Sequence, residues 1–344
     1  MLKKFKIGKF NISTSKPRCF IIAEIGINHM GDFNLCKRMV IAASASGADA
    51  VKLQSIEADE SYVTGTKSYR IFKNKSFTVK QLAKLKKVAH KRKIEFFSTP
   101  GDLTSLEKLK KIKVSAIKIS SGLLSNTPLI AKAAKLKKPI IFSTGMATTR
   151  DIKQAIETAK KNGCIKYAIL KCTSIYPAKS KTLNLKGIAT LRNTFKVPVG
   201  YSDHYIGDLA CTSSILYGAS IIEKHFTTSN RIKGADNKIS SEPKDFKEMV
   251  NKIREVERMI GNGKIFPREQ EIREKKERYR FLVAKRSLNK NEKISFDTIA
   301  FKRLLKFNKN FLPANFYWRI KGKKIIKKLK KNNPILKNYL KWLT

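Results

Sequence analysis

Short apolar runs recur along this chain in strict alternation with helical patterns, and that repetition leaves few folds open. Runs lie at residues 19–25, 49–54, 94–98, 116–121, 139–144, 166–173, 199–204 and 221–226. Each is short enough for a buried strand. Between most of them apolar residues return at three- and four-residue intervals, as in residues 32–47, 78–92, 126–136, 149–161 and 184–194, with a last helix predicted at 243–260. Eight strand-helix units are the number that closes a (β/α)8 TIM barrel, so the fold class read from the sequence is α/β.

The barrel dictates where chemistry belongs. Polar residues gather at the C-terminal ends of the runs: Glu24, Lys52, Gln54, Thr99, Lys118, Ser121, Ser143, Ser174, Ser202, His204, Glu223 and His225. In a barrel those ends meet at one mouth, the place of the active site. Any single serine there would serve equally as a helix N-cap. The recurrence in nearly every unit is what argues for a site.

Lys52 and Gln54 share one face of their strand, as do Lys118 and Ser120, and a cation on a core strand needs a reason because an unpaired buried charge is costly. Two lysines among hydroxyls suit a phosphorylated, carboxylated small molecule. His204 and His225 end successive runs, which would bring two imidazoles to the same end of the sheet. Such a pair can hold a divalent cation with positions open for substrate oxygen; two structural histidines capping helices remain the alternative. Glu24 or Glu223 could transfer protons, and Asp203 could either orient a ligand or cap a helix.

The 344 residues allow one large core and a small extra module, with expected boundaries at 1–262 for the barrel, 263–280 for a charged linker and 281–344 for a compact β-rich module with short runs at 281–284, 294–299 and 334–336. Residues 55–77 read as a long polar connection, a lid or loop. Five scattered cysteines read as small buried hydrophobes of a reducing cytoplasm, Cys172 lying close to the site. A formal net charge of +48 first points to nucleic acid, but lysine is spread over almost every helical segment without an arginine-rich arm or stacking motif. No nucleic-acid or membrane partner is expected, and the field would draw in phosphorylated substrates.

The motifs then resemble one family, the phosphoenolpyruvate-dependent sialic acid synthases and their nonulosonic acid relatives. The matching stretches are Ile-Ala-Glu-Ile-Gly-Ile-Asn-His-Met-Gly-Asp at 22–32, Ala-Asp-Ala-Val-Lys-Leu-Gln at 48–54, Ser-Thr-Pro at 98–100, Lys-Ile-Ser-Ser-Gly at 118–122 and Ser-Thr-Gly-Met-Ala at 143–147. Cys-Thr-Ser-Ile-Tyr-Pro at 172–177, Ser-Asp-His at 202–204 and Glu-Lys-His-Phe-Thr at 223–227 complete the set. The resemblance implies that His204 and His225 bind Mn²⁺ or Mg²⁺. Lys52, Thr99, Lys118, Ser121, Ser143 and Ser202 would hold phosphoenolpyruvate, and Glu24 would assist catalysis. Gln54, Tyr176 and Asp236 match positions that contact the acceptor sugar, with Ser174 where an asparagine is common. It further implies a C-terminal antifreeze-like (SAF) module packed over a partner subunit in a swapped dimer, lending Arg303 to the neighbouring site. The implied reaction condenses phosphoenolpyruvate with N-acetylmannosamine or a related deoxy diacetamido sugar.

Several positions depart from the family pattern. Leu123 stands where an acidic residue is common, Gly234-Ala235-Asp236-Asn237 replaces a Gly-Pro-Asp-His pattern, and Arg303-Leu304-Leu305 replaces Arg-Pro-Gly. All three bear on the sugar half. The competing expectations are another keto-deoxy sugar acid synthase, which would lack the C-terminal module, and a basic nucleic-acid-binding protein.

Overall fold

The computed structural model describes residues 4–14 and 18–341, so the first three residues of the basic lead-in and the last three of the C-terminal module lie outside the described residues. The chain divides into two compact units, Met1–Gly261 and Asn262–Thr344.

The first unit opens with an antiparallel hairpin, β1 (Lys4–Ile7) and β2 (Phe10–Ser13), where the sequence reading placed only a lead-in. Alternate residues Phe5, Ile7 and Ile12 are buried, and Phe10 packs on Phe20 with ring centroids 5.3 Å apart. The barrel follows. In chain order it comprises β3 (Phe20–Gly26), α1 (Phe33–Ala45), β4 (Ala50–Ser55), α2 (Ala58–Ser61), α3 (Lys67–Phe72), α4 (Val79–Lys91), β5 (Glu95–Pro100), α5 (Leu103–Lys111), β6 (Ile117–Ile119), α6 (Thr127–Ala134), β7 (Ile140–Ser143), α7 (Thr149–Lys161), β8 (Tyr167–Cys172), α8 (Lys186–Phe195), β9 (Val199–Asp203), α9 (Leu209–Ser214), β10 (Ile221–His225) and α10 (Pro243–Met259). Strands β3 to β10 form one closed barrel, with β10 pairing parallel to β3 to complete the ring. The eight-unit TIM architecture is therefore the observed one.

Local chemistry explains the element boundaries. Asp32 accepts the backbone N–H groups of Asn34 and Leu35 to start α1, and Thr78 with Gln81 forms a reciprocal cap on α4. The strands are buried on both faces because helices cover the outside and side chains fill the inside. At the N-terminal end of the barrel the buried Asp49 carboxylate accepts the Ile21 N–H at 3.0 Å and pairs with Arg254 of α10 at 3.0 Å, tying the last helix to the first strands. Gly200 is required by crowding: a Cβ there would lie 2.3 Å from the Ile221 carbonyl oxygen.

The connection read as a polar lid or loop carries two short helices instead, α2 and α3. Its polar residues are used against one another: Asp59 accepts from Tyr69 and Lys73, each at 2.8 Å, and Glu57 pairs with Lys108 of α5. A polar composition hid these helices because their stabilising contacts are hydrogen bonds and not an apolar stripe.

In the second unit, helix α11 (Glu269–Arg278) lies within the expected linker, followed by β11 (Phe281–Ala284), β12 (Ile299–Lys302) and the short α12 (Tyr317–Ile320). β11 and β12 pair antiparallel, and isolated bridges such as Val283 to Pro334 and Leu288 to Leu329 extend the pairing. The strand expected at 294–299 is displaced: β12 begins at Ile299, while Lys293 makes an isolated bridge to Lys324 and Ile294 is buried in the unit's core with Leu282, Leu312 and Ile325. No helix among the described residues is long and apolar enough to cross a membrane.

Candidate active site

The C-terminal ends of the barrel strands surround a cavity of about 580 Å³. Twelve of the fourteen residues to which the resemblance assigns a role line it: Glu24, Lys52, Gln54, Thr99, Lys118, Ser121, Ser143, Ser174, Tyr176, Ser202, His204 and His225, and Ser120, Cys172 and Glu223 line it too. Asp236 lies beside it, its Oδ2 3.9 Å from His225 Nδ1. Arg303 belongs to the second unit, exposed one residue beyond β12.

The floor of the cavity is an array of four charged side chains. Lys52 and Lys118 are only 2% and 1% exposed, so each ammonium has lost nearly all its water. Lys52 Nζ meets Glu24 Oε2 at 2.8 Å and Glu223 Oε2 at 3.7 Å, and donates to Thr99 Oγ1 at 3.2 Å. Lys118 Nζ meets Glu223 Oε1 at 3.5 Å and donates to Ser143 Oγ at 2.6 Å. Glu24 also accepts from Gln54 Nε2 at 3.0 Å, and Glu223 from Ser202 Oγ at 3.0 Å. Gly26 lets Glu24 and Gln54 meet: it takes φ +55°, and a Cβ there would sit 3.3 Å from Glu24 Oε1 and 3.4 Å from Gln54 Nε2.

This environment separates the two carboxyls. Burial pushes Glu24 up, opposed by Lys52 and reinforced by the negative charge of Glu223. Burial would push Glu223 up as well, but Lys118 and Lys52 outweigh it and hold that carboxyl below the ordinary range. Lys118 is held below the usual lysine value by burial, while Lys52, despite equal burial, is raised by Glu223 and Glu24. Two acids driven apart in this way can divide proton donation and acceptance between them.

Hydroxyls cluster on the neighbouring strand ends. The Gly145 N–H donates to Ser121 Oγ at 2.9 Å, and a Cβ at Gly145 would stand 2.0 Å from Ser174 Oγ, so glycine is what allows Ser121 and Ser174 to converge.

The other wall holds the two imidazoles, with ring centroids 5.4 Å apart and the Tyr176 ring tilted by 35° against His204 at 3.9 Å. His204 Nδ1 lies 2.7 Å from the Thr173 carbonyl oxygen and must donate to it, so in the neutral ring the lone pair is on Nε2. His225 is held well below the usual histidine value, first by burial and then by the nearby cations, and its Nδ1 is buried without a hydrogen-bond partner. Burial lowers His204, but Cys172 and the Thr173 carbonyl outweigh it and raise that imidazole above the ordinary histidine value; once it is unprotonated, its Nε2 and the buried Nδ1 of His225 offer lone pairs that fit a divalent cation. Among the described residues no cluster of three or more His, Cys, Asp or Glu has metal-binding geometry, so a cation here would take two protein ligands and complete its shell with water or substrate oxygen.

The chain's relatives bear on this geometry. The NeuB family profile matches residues 39–265. The chain belongs to the NeuB family. It is 36% identical to the N,N'-diacetyllegionaminic acid synthase of Legionella pneumophila, over 84% of this chain and 86% of that protein. It is 32% identical to the pseudaminic acid synthase of Campylobacter jejuni, over 94% and 96%. The crystal structure of an N-acetylneuraminic acid synthetase from Leptospira borgpetersenii superposes with a TM-score of 0.75 at 34% identity, covering 79% of this chain and 94% of that one.

Within this NeuB barrel three findings amend the sequence reading. Of the two roles open to Asp203, helix capping is not the one it takes: the last residue of β9 and buried, it accepts from Tyr201 at 2.9 Å, the Tyr205 N–H at 3.0 Å and Lys224 at 2.7 Å, fixing the turn that follows His204. Asn237 is fully buried, donating to the Asn28 carbonyl at 3.2 Å and accepting from Thr227, and Asp236 is held by its own N–H to Asn28 Oδ1 at 3.0 Å. The substitution in that motif therefore has a place in the fold. Cys172 has a neighbour that sequence could not show: burial raises its thiol, but the His204 imidazole 3.9 Å away brings it down to about 7.

The connection read as a lid or loop lines the cavity through residues that sequence reasoning did not name, Glu60, Ser61, Tyr62 and Phe72, the last two with rings 5.4 Å apart. Leu123 and Met146 add apolar surface to the same cavity.

Proposed function

We propose that this protein condenses phosphoenolpyruvate with the open-chain form of an N-acylated amino sugar, giving a nonulosonic acid and phosphate. The observation that carries the reading is the buried pair Lys52 and Lys118, two cations brought to one cavity floor among the hydroxyls of Thr99, Ser143 and Ser202. Buried ammoniums at this cost fit an anionic ligand of high charge density.

In the reaction a bond forms between the methylene carbon of phosphoenolpyruvate and the aldehyde carbon of the sugar, and the aldehyde oxygen takes a proton. Water adds at the phosphate-bearing carbon and loses a proton, the carbon–oxygen bond to phosphate breaks, and the resulting hydroxyl collapses to the ketone. A divalent cation such as Mn²⁺ or Mg²⁺ on His204 and His225 would supply Lewis-acid polarisation of the aldehyde. Lys52, Lys118, Thr99, Ser121, Ser143 and Ser202 bind the phosphate and carboxylate, and holding them fixed against the acceptor converts an encounter into an oriented contact. Glu24, raised by burial, exchanges protons at the reacting centre. Gln54, Ser174, Tyr176 and Asp236 orient the sugar. The apolar contribution of Tyr62, Phe72, Leu123 and Met146 favours a deoxy, diacylated acceptor over a polyhydroxylated one. Arg303 completes the site across a swapped dimer in which the second unit acts as an antifreeze-like lid.

Phosphate release from phosphoenolpyruvate with a panel of N-acylated amino sugars, with and without Mn²⁺, tests the reading. Release is expected only when sugar and cation are both present, with a deoxy diacetamido sugar preferred to N-acetylmannosamine. No release with any member of the panel would reject it.

A further inference from the structure

Glu223 has a position that no binding role explains. Its two carboxylate oxygens are divided between the two lysines, Oε1 3.5 Å from Lys118 and Oε2 3.7 Å from Lys52, and Oε2 receives no hydrogen bond at all. These contacts are longer than the 2.7–2.9 Å at which a charge-assisted hydrogen bond settles. The lysines make their closer contacts elsewhere, Lys52 in an ion pair with Glu24 at 2.8 Å and a hydrogen bond to Thr99 at 3.2 Å, and Lys118 in a hydrogen bond to Ser143 at 2.6 Å. The carboxylate is thus held between two cations by charge alone, anchored from the side by Ser202.

Resting on the phosphoenolpyruvate reading, we propose that Glu223 is the resident counter-ion of the lysine pair, an anion that competes with phosphoenolpyruvate and phosphate for Lys52 and Lys118 and so sets how readily they are released. Without it two ammoniums would be buried at the cavity floor with Glu24 as their single carboxylate partner. With it, any phosphate that bonds both lysines comes close to a like charge in a low-dielectric setting, where such repulsion is strong. Sequence position gave no sign of this, because the role depends on which cations the strand end meets across the barrel.

The test is the sign of a change in affinity. Glu223→Gln keeps the shape and the Ser202 hydrogen bond but removes the charge, and Glu223→Ser removes both charge and bulk should the glutamine variant fail to fold. Calorimetric titration with inorganic phosphate, in chelator so that no cation contributes, is expected to show binding at least about tenfold tighter than wild type, a change of about 1.4 kcal/mol. Glu223→Asp, which retains the charge, should stay within about threefold of wild type. Turnover at saturating substrate should fall in Glu223→Gln while KM for phosphoenolpyruvate also falls, a split that simple loss of structure does not produce. Equal or weaker phosphate binding by a folded, uncharged variant overturns the inference. Failure of the wild type to bind phosphate or phosphoenolpyruvate overturns the phosphoenolpyruvate reading, and this inference with it.

Discussion

Replacing His225 with alanine is expected to reduce Mn²⁺ affinity by at least about 100-fold, and turnover with it, since loss even of groups behind a metal ligand costs 10- to 100-fold. His225 is buried and held neutral, and it faces His204 at 5.4 Å between ring centroids. On the proposed reading the two imidazoles are the protein ligands, so losing either leaves one. His204→Ala should act similarly, with an added effect on the turn at Thr173, whose carbonyl loses its 2.7 Å donor. Mn²⁺ binding followed by electron paramagnetic resonance, with circular dichroism to show that the barrel remains folded, checks both variants. Wild-type affinity in either would remove these histidines from the metal site.

The second large effect belongs to the lysines. Lys118→Met should lower kcat/KM for phosphoenolpyruvate by roughly 10- to 150-fold, the range corresponding to loss of one charged hydrogen bond of about 1.5–3 kcal/mol. Lys52→Met should match that loss and also destabilise the fold by about 3–5 kcal/mol, because breaking a buried pair leaves charge uncompensated. The difference follows from the contacts: Lys52 serves Glu24 at 2.8 Å as well as Glu223, whereas the short bond of Lys118 goes to the neutral Ser143. Steady-state kinetics and urea unfolding of the two variants separate the effects. Equal stability of the two would place the charge balance elsewhere.

The barrel was legible because its signal is physical and local. Strands buried on both faces must be apolar throughout, and helices that pack on them must be amphipathic, so residues 19–25 or 139–144 could hardly be anything else. Lysines interrupting such runs at 52 and 118 were legible for the same reason, as charges where charge is expensive. The N-terminal hairpin was not: Lys4 to Ile7 alternates polar and apolar residues correctly, but four residues among many lysines do not stand out from a basic tail. Helices α2 and α3 escaped because Asp59 finds its partners 10 and 14 residues on and Glu57 its partner 51 residues on, and helical periodicity carries no trace of such pairs. The second unit was legible as a β-rich module but not in its register, since most of its pairing consists of single bridges between loops. At the site the individual residues could be named from motifs, while the alternation of Glu24, Lys52, Glu223 and Lys118 exists only once eight strands close.

The central claim, that the cavity joins phosphoenolpyruvate to an amino sugar with water entering at the phosphate-bearing carbon, is tested most directly with phosphoenolpyruvate carrying ¹⁸O in the bridging position. Mass spectrometry of a turnover with an N-acylated amino sugar should find the label in every released phosphate and one joined keto acid per phosphate. Unlabelled phosphate, or phosphate formed without the joined acid, would contradict the account.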